Sequence, residues 1–236
     1  MLLQAFREWM DTPQGRYVLA WEQARHDCLV ADIFGFNALQ LGWPELDYLR
    51  ANRMPCRLKC GTELAVDLRT DLHHLPLASN SVDLVVLAHV LEFDSNPHQI
   101  LREVERVLVP EGSVVVTGFN PFSLWGLQHR FLCRKIPPWT GAYIGIPRLK
   151  DWFALLGIEA RAGAFGCYVP AVTQEKWLKR FAFMAAAGDR WWPIAGAIYI
   201  MQGIKRQHGM RLITPIWQDR KARAKTLLPV TQKTDP

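Results

Sequence analysis

The sequence predicts an α/β protein built on a doubly wound, mostly parallel sheet, and three observations favour this class. Apolar runs of strand length alternate along the chain with amphipathic segments of helix length. The stretch from Val82 to Phe119 reads strand, helix, strand, which is a βαβ unit with a right-handed crossover. Hydrophobic residues make up 50% of the chain and no long charge block interrupts them, so a large core can form.

The first part of the chain predicts a helix, a strand, a second helix and a second strand. An amphipathic pattern runs from about Gly15 to Phe34. The short apolar run at 38–42 then predicts a strand that ends in glycine, and Pro44 predicts the first turn of a helix through about residue 51. Residues 64–69 predict the next strand.

The second part of the chain carries the clearest pattern. The continuous apolar run at 82–89 is typical of a strand buried on both faces. Ser95, Asn96 and Pro97 begin a helix that continues to about residue 108, and residues 113–119 predict another buried strand. A helix at 148–158 and late strands at 158–166 and 196–206 complete the expected order.

The charge is divided unevenly between an acidic body and a basic tail. Residues 176–236 hold 12 Lys and Arg against 3 Asp, whereas residues 1–175 hold 16 against 19 acidic residues. Such a tail can meet nucleic acid or an anionic membrane. No recognition motif falls within 205–225, so nucleic acid is a disfavoured partner. Arg190, Trp191 and Trp192 allow membrane-surface contact, but a buried strand over 194–206 is the favoured interpretation.

Cysteine usage and the N-terminus predict a soluble, cytoplasmic protein without a metal. The five cysteines are scattered, as is typical of reduced thiols. Only Cys56 and Cys60 lie close together, and two ligands do not make a zinc site. No signal peptide is visible, and the longest apolar run, 191–204, is shorter than the ~20 residues that cross a bilayer. The oligomeric state stays open.

Three predicted strand ends carry residues that suit a ligand site. They are Gly42, Asp71 and the pair Ala88–His89. Open parallel sheets bind ligands at the carboxyl ends of their strands, where a glycine lets backbone approach and a carboxylate accepts hydrogen bonds. Each residue also has an ordinary structural interpretation, as a turn glycine, a turn cap or a structural histidine.

The spacing of a longer set of residues resembles a known family. These residues are Asp71, Leu75–Pro76, Asp83, His89–Glu92, Arg106–Leu108 and Pro110–Gly112. In this order they resemble the class I S-adenosylmethionine-dependent methyltransferases, in the type 11-like branch that includes ubiquinone and menaquinone methyltransferases. More weakly, the whole chain is similar to a bacterial subgroup of uncharacterised methyltransferases with a degenerate glycine loop.

The resemblance implies a fold and a division of the chain. The fold would be a Rossmann-like, seven-stranded sheet with an antiparallel late strand. A helical extension would occupy residues 1–36, the methyltransferase-type domain residues 37–213, and a basic tail residues 214–236.

The resemblance also implies S-adenosylmethionine as cofactor and assigns its contacts. Leu41, Gly42 and Trp43 would lie against its methionine and ribose, and Asp71 with Leu72 would meet its adenine. Ala88 and His89 would line the far side of the methyl-donor pocket. Either Glu63 or Asp67 would hold the ribose hydroxyls.

The glycine loop departs from the family's Gly-x-Gly-x-Gly pattern, because it reads Gly42, Trp43, Pro44, Glu45, Leu46. Three hypotheses follow. The first is a methyltransferase acting on a small or apolar acceptor that approaches over the aromatic-rich residues 119–145, with His89 as a candidate base. The second is a non-catalytic relative that serves as a binding or scaffold protein. The third is a nucleic-acid methyltransferase that uses the basic residues of 205–225.

Overall fold

The computed structural model describes residues 2–62, 65–132, 141–170, 175–181 and 183–206. The strands are β1 (Asn37–Leu41), β2 (Cys56–Gly61), β3 (Leu68–Arg69), β4 (Val82–Ala88), β5 (Leu108–Phe119), β6 (Ile158–Gly166) and β7 (Ile198–Lys205). The helices are α1 (Leu2–Met10), α2 (Pro13–Ala31), α3 (Pro97–Val107), α4 (Leu124–Leu132), α5 (Ile146–Leu155), α6 (Glu175–Arg180) and α7 (Phe183–Trp191), with a 3₁₀ turn at Pro193–Ala195.

The strands form one seven-stranded sheet in the order β3-β2-β1-β4-β5-β7-β6. The neighbours from β3 to β5 pair in parallel, whereas β7 pairs antiparallel with both β5 and β6. The expected mostly parallel sheet with an antiparallel late strand is therefore confirmed. The chain order reverses between β1 and β4, which is where such sheets place their ligands.

Two hydrophobic clusters cover the two faces of the sheet, and β4 shows how the sequence divides them. Val85 and Leu87 point into the cluster that includes the apolar side of α3. Leu84 and Val86 point into the opposite cluster, together with Val18 and other residues of the N-terminal helices. Because side chains alternate along a strand, an unbroken apolar run is what a strand covered on both faces requires.

A tight corner joins α1 to α2. Thr12 caps α2 by accepting a hydrogen bond from the Gly15 backbone N–H at 3.1 Å. Pro13 occupies the first turn of the helix, where no backbone donor is lost. A Cβ on Gly15 would lie 2.3 Å from the Trp9 carbonyl oxygen, so only glycine lets the two helices approach this closely. The corner directs α1 back across the carboxyl ends of the strands.

Two expected elements between Gly42 and Asp71 are wrong. Residues 44–51 form turns rather than a helix. The amide of Gln40, inside β1, donates to the carbonyls of Trp43 and Leu46 at 3.0 and 2.8 Å, which satisfies groups that a helix would have paired internally. The strand expected at 64–69 is reduced to Leu68–Arg69, and the true second strand is Cys56–Gly61.

Candidate functional site

A cavity of about 180 Å³ lies at the carboxyl ends of β1, β2 and β4. Gly42 follows β1, Gly61 ends β2 and Val90 comes two residues after β4, so three adjacent strand ends meet there. The lining residues are Arg7, Gly42, Trp43, Pro44, Gly61, Thr62, Asp71, Leu72, His73, His89, Val90, Phe93 and Asp94. The position is the one at which an open α/β sheet binds its ligand.

The turn after β1 has a left-handed backbone at two consecutive residues, one of which is not glycine. The φ angle is 75° at Gly42 and 39° at Trp43, and both values lie in the left-handed region. A bulky residue held there costs about 1–3 kcal/mol, so packing must maintain it. The buried indole of Trp43 lies 4.8 Å from the ring of Phe6 and 6.3 Å from that of Phe93. Contacts with Phe6 of α1 and with Phe93 thus maintain the left-handed backbone of Trp43.

Gly42 itself leaves bare backbone facing the cavity. A Cβ at this position would lie 2.7 Å from Cγ2 of Val90, and the positive φ would strain any other residue. The Gly42 N–H donates to the Cys60 carbonyl at 2.9 Å, which fixes the turn against β2. Gly42, at the first position of the family's glycine pattern, therefore has a backbone conformation that requires glycine. Pro44, at a later glycine position, has no N–H to offer.

Three polar side chains form the opposite side of the cavity. His73 lies between two carboxylates, with Nδ1 2.8 Å from Asp71 Oδ1 and Nε2 2.9 Å from Asp94 Oδ1. The hydrogen bond to Asp71 chiefly raises the pKa of His73. The pKa of Asp71 is lowered, mainly because its carboxylate also accepts from the His73 backbone N–H. Asp71 is therefore an oriented, ionised acceptor at the cavity edge.

Behind the cavity wall, a buried polar network centres on His89. Nε2 of His89 lies 2.6 Å from Glu22 Oε1, and Nδ1 lies 2.7 Å from Glu92 Oε2. Tyr48 donates its hydroxyl to the other Glu22 oxygen at 2.9 Å, and the backbone N–H of Phe119 donates to the other oxygen of Glu92. The network joins α2, the turns that follow β1 and β4, and the end of β5.

The two carboxylates decide the protonation of His89. Burial alone would lower its pKa, but Glu22 and then Glu92 outweigh burial and raise the pKa to about 10. The ring is therefore an imidazolium at neutral pH. The backbone of His89 has a φ of 52°, at the end of β4. Both nitrogens are engaged, so the geometry gives no support to the expectation that His89 accepts a proton from a substrate.

Helix α1 closes one side of the first cavity. Phe6 is fully buried, with its ring 4.8 Å from Phe93, 5.5 Å from His89 and 6.1 Å from Phe119. Arg7, the next residue, lines the cavity and pairs with Glu45 of the glycine loop at 2.9 Å. One turn of an N-terminal helix thus supplies both an apolar plug and a cation to the site.

A second, larger cavity of about 740 Å³ lies beyond the end of β5. Tyr143 lines it and stacks on Phe119 at 5.2 Å, and Phe119 in turn lies 4.6 Å from His89. Of the aromatic residues expected to form an acceptor wall over 119–145, Phe119 and Trp125 are buried, Tyr143 is half-buried and Phe122 is exposed. Residue 139 lies outside the described part of the chain, and the side chain of residue 131 is not described.

The structure brings together most of the cofactor residues that the sequence predicts. Gly42, Trp43, Asp71, Leu72 and His89 all line the first cavity. Two others do not reach it, because Leu41 and Ala88 point into the hydrophobic clusters.

The two candidates for the ribose acid have different outcomes. Asp67 accepts from the Lys59 backbone N–H at 2.8 Å, alongside the middle of β2, and is absent from the cavity lining. This placement does not favour Asp67 as the acid that would hold the ribose hydroxyls. Glu63 lies outside the described residues, although it follows β2 by two positions, so its role stays a prediction.

Several lining residues are missed by sequence reasoning. They are Arg7, Pro44, Gly61, Thr62, His73, Val90, Phe93 and Asp94. Val90, Phe93 and Asp94 follow the end of β4, and His73 follows Asp71 by two positions, so proximity to a predicted site residue would have found them. Gly61 and Thr62 depend on recognising β2 correctly. Arg7 has no local pattern, because only the fold brings α1 to the sheet.

Other residues of the family-like stretch support the frame rather than the cavity. Asp83 accepts from the backbone N–H groups of Phe36 and Asn37 at 2.8 and 2.9 Å, which pins the start of β1 beside β4. Arg106 donates to the carbonyls of Leu75 and Leu77, both at 2.9 Å. The family-like spacing of these residues thus partly reflects the hydrogen bonds that stabilise the βαβ unit.

The basic and apolar segments near residue 200 also have definite positions. The expected buried strand over 194–206 is confirmed for Ile198–Lys205, whereas Ile194 is exposed. Lys205 donates to the carbonyl of Glu105 at 2.6 Å, and Arg206 pairs with Glu159 at 2.7 Å. These two cations are engaged within the protein, which weakens the nucleic-acid hypothesis.

Two further features concern the described ranges alone. None of their helices is long and apolar enough to cross a membrane. Within the same ranges, no three or more His, Cys, Asp and Glu side chains are grouped so that they could hold a metal ion.

Comparison with known proteins shows which fold the chain has and which domain part of it is similar to. A family model described as a methyltransferase domain matches residues 46–116. A SAM-dependent methyltransferase of Thermotoga maritima has the same fold, with a TM-score of 0.64, 16% identity, and coverage of 87% of this chain and 97% of the other. The protein therefore has the class I methyltransferase fold.

Two curated relatives refine this result. The chain is 31% identical over 157 residues to the uncharacterised protein YafS of Escherichia coli, covering 64% of each chain. It is also 31% identical over 81 residues to the demethylmenaquinone methyltransferase of Chlamydia pneumoniae, covering 31% of this chain and 34% of that enzyme. The matches thus span less than two thirds of either relative. The matched segment is thus similar to a methyltransferase domain, and the whole chain shares the fold of solved methyltransferases.

Proposed function

We propose that the protein is an S-adenosylmethionine-dependent methyltransferase that binds its methyl donor in the first cavity. The observation that carries the proposal is the meeting of Gly42, Asp71 and Leu72 at adjacent strand ends, around one cavity. The resemblance had assigned these three residues to a single ligand. The methyltransferase-domain match over 46–116 supports the same conclusion.

The chemistry of the lining residues fits this cofactor. Gly42 lines the cavity without a side chain, which allows a ligand to approach its backbone closely. The ionised Asp71 suits the exocyclic amino group of adenine, and Leu72 offers an apolar contact for the ring. Arg7 provides a cation for the carboxylate of the methionine part. S-adenosylmethionine supplies an activated methyl group on a sulfonium.

The remaining residues of the site hold the cavity wall in position and exclude water from it. Methyl transfer from a sulfonium needs alignment more than acid–base catalysis, because the leaving thioether is neutral. The His89 network holds the end of β4 against α2 and β5, which fixes the wall of the cavity. Phe6 and Phe119 close this wall to solvent. We therefore assign His89 a positioning role.

The second cavity suits an apolar acceptor of small to moderate size. Its lining includes the side chains of Phe122, Leu124 and Leu127, and the rings of Tyr143 and Phe119 connect it to His89 through successive contacts. Pockets for small ligands are mostly apolar and occupy about 300–1,000 Å³. The identity of the acceptor is left to substrate screening.

A matched pair of glycine variants tests donor binding. Gly42 and Gly157 have similar φ angles, 75° and 68°, so alanine strains both turns. Only Gly42 lines the cavity, because Gly157 follows α5 elsewhere in the fold. In equilibrium dialysis with S-adenosylmethionine, Gly42→Ala is expected to weaken binding at least about tenfold, while Gly157→Ala binds like the parent. Equal affinities for the two variants would contradict the proposed site.

A non-catalytic relative is the second candidate, and the plug formed by Phe6 favours it. A cavity of about 180 Å³ is smaller than pockets that commonly hold ligands of this size. Under this alternative, neither the parent protein nor a Phe6→Ala variant binds the donor. If the protein is a methyltransferase, α1 shifts to admit the donor, and Phe6→Ala binds it at least as tightly as the parent does.

A further inference from the structure

Exposed apolar side chains line part of the second cavity and continue into the segment that precedes Ala195 in its lining. We name this surface the aromatic patch and define it by six side chains, each at least half exposed: Phe122, Leu124, Leu127, Trp191, Trp192 and Ile194. Its three aromatic side chains alone expose roughly 400 Å², taking about 200 Å² for each complete side chain. Contiguous apolar surfaces of this size mark interaction sites.

Hydrogen bonds hold the two halves of the aromatic patch together. The amide of Asn120 donates to the carbonyls of Ile194 and Gly196 at 2.7 and 2.9 Å, which ties the start of α4 to the 3₁₀ turn. The Trp192 N–H donates to the Gly188 carbonyl at 3.1 Å, which fixes the tryptophans at the end of α7. Exposure of these side chains is therefore built into the fold.

Basic residues accompany the aromatic patch. Arg190 is exposed next to Trp191, and α6 exposes Lys176 and Arg180 one element earlier. The Arg180 guanidinium lies 5.6 Å from the ring of Trp177, which is itself partly exposed. In sequence, residues 175–194 hold four basic and two acidic residues. Tryptophans interleaved with Lys and Arg are typical of segments that rest at the interface between water and lipid.

We infer that the aromatic patch docks on the surface of a phospholipid bilayer that carries anionic lipids. The tryptophans and Ile194 insert among the headgroups, and the basic side chains of α6 and α7 pair with lipid phosphates. An anionic lipid surface fits this patch, because the charged side chains described as exposed in α6 and α7, Lys176, Arg180 and Arg190, are positive. The docked orientation places the mouth of the second cavity against the bilayer. This inference does not depend on methyl transfer.

Vesicle sedimentation with matched variants tests the inference. The full chain is mixed with vesicles of phosphatidylcholine and phosphatidylglycerol at 3:1, and with pure phosphatidylcholine. We expect saturable binding to the anionic vesicles that weakens with added salt. Trp191→Ser/Trp192→Ser lowers the partition coefficient at least about tenfold. Phe34→Ser/Phe36→Ser, which changes exposed aromatics just before the start of the central strand β1, leaves it unchanged.

Other outcomes overturn the inference. Absence of vesicle binding by the parent chain does so directly. Equal binding by all variants would assign membrane affinity to another part of the chain. Concentration-dependent self-association that the tryptophan variant abolishes, without vesicle binding, would assign the aromatic patch to a second copy of this chain. Circular dichroism checks each variant, and Leu124→Gln/Leu127→Gln repeats the test should the tryptophan variant fail to fold.

Discussion

Replacing the buried pair Glu22–His89 by two amides should change how the stability of the protein depends on pH. In the parent protein, His89 lies between Glu22 and Glu92 and its pKa is raised to about 10. In the unfolded chain its pKa is about 6.5. Glu22→Gln/His89→Gln removes the cation and one carboxylate together. The variant thus avoids leaving two buried carboxylates without their cation.

The direction and size of the effect follow from proton linkage. Below pH 6.5, His89 is protonated in both states and its stabilisation is fully present. Above pH 6.5, the unfolded chain releases this proton while the folded protein keeps it until about pH 10. The free energy of unfolding of the parent therefore falls by up to about 1.4 kcal/mol per pH unit from this group alone. Between pH 6.5 and 8.5 the fall is about 2–3 kcal/mol.

Urea denaturation at several pH values measures this slope. We expect the double variant to lose most of the decline that the parent shows between pH 6.5 and 8.5. Asp27→Asn, which removes an exposed ion pair with Arg50, should keep the parent's slope because that pair is solvated. Parallel stability–pH curves for the parent and the double variant would refute the charged network at His89.

Three further predictions concern residues near the site. Trp43→Gly should lower the free energy of unfolding by about 2–3 kcal/mol, because loss of the buried indole outweighs the relief of backbone strain; a more stable variant in urea titration would contradict this balance. His26 is buried and its pKa is lowered to about 4, chiefly by burial. Stability should thus rise between pH 4 and 6.5, and His26→Gln should flatten that rise by up to about 1.4 kcal/mol per pH unit in the same assay. His73→Ala should weaken donor binding about threefold to tenfold in dialysis, because Asp71 loses the partner that orients it; unchanged affinity would remove His73 from the site.

The βαβ unit could be predicted from sequence because its pattern is local. The apolar run of β4 and the helical spacing of α3 are each visible within about ten residues, and Pro97 marks the boundary between them. Asp71 and Gly42 could be predicted as site residues for a related reason. Each follows an apolar segment, and the sheet brings the ends of such segments together.

Elements that depend on distant contacts could not be predicted in this way. β2 contains Arg57 and Lys59, whose charges obscure a strand pattern. The structure shows that both cations donate to carbonyls of residues 44–52, the segment in which Pro44 suggested a helix. Lys59, for example, donates to the Pro44 carbonyl at 3.0 Å. The wrong predictions at 44–51 and 64–69 therefore share one physical cause, because the side chains of β2 form hydrogen bonds with the backbone carbonyls of the turns.

The buried network and the α1 plug illustrate the same limit for the site. Glu22 lies 67 positions before His89 in sequence, yet the two side chains are 2.6 Å apart. Phe6 and Arg7 reach the site only because the corner at Thr12–Gly15 turns α1 across the sheet. Sequence patterns suggested His89 as a base, whereas its partners make it a buried cation.

Calorimetric titration of the purified protein with S-adenosylmethionine and S-adenosylhomocysteine tests the central claim most directly. We predict saturable binding of both ligands by the parent protein. Asp71→Asn should bind about tenfold to a hundredfold more weakly at an unchanged melting temperature, because a hydrogen bond from the ligand to a carboxylate is worth about 1.5–3 kcal/mol. Absence of binding at millimolar ligand, by protein shown to be folded, would contradict the claim and leave a methyltransferase fold without its cofactor.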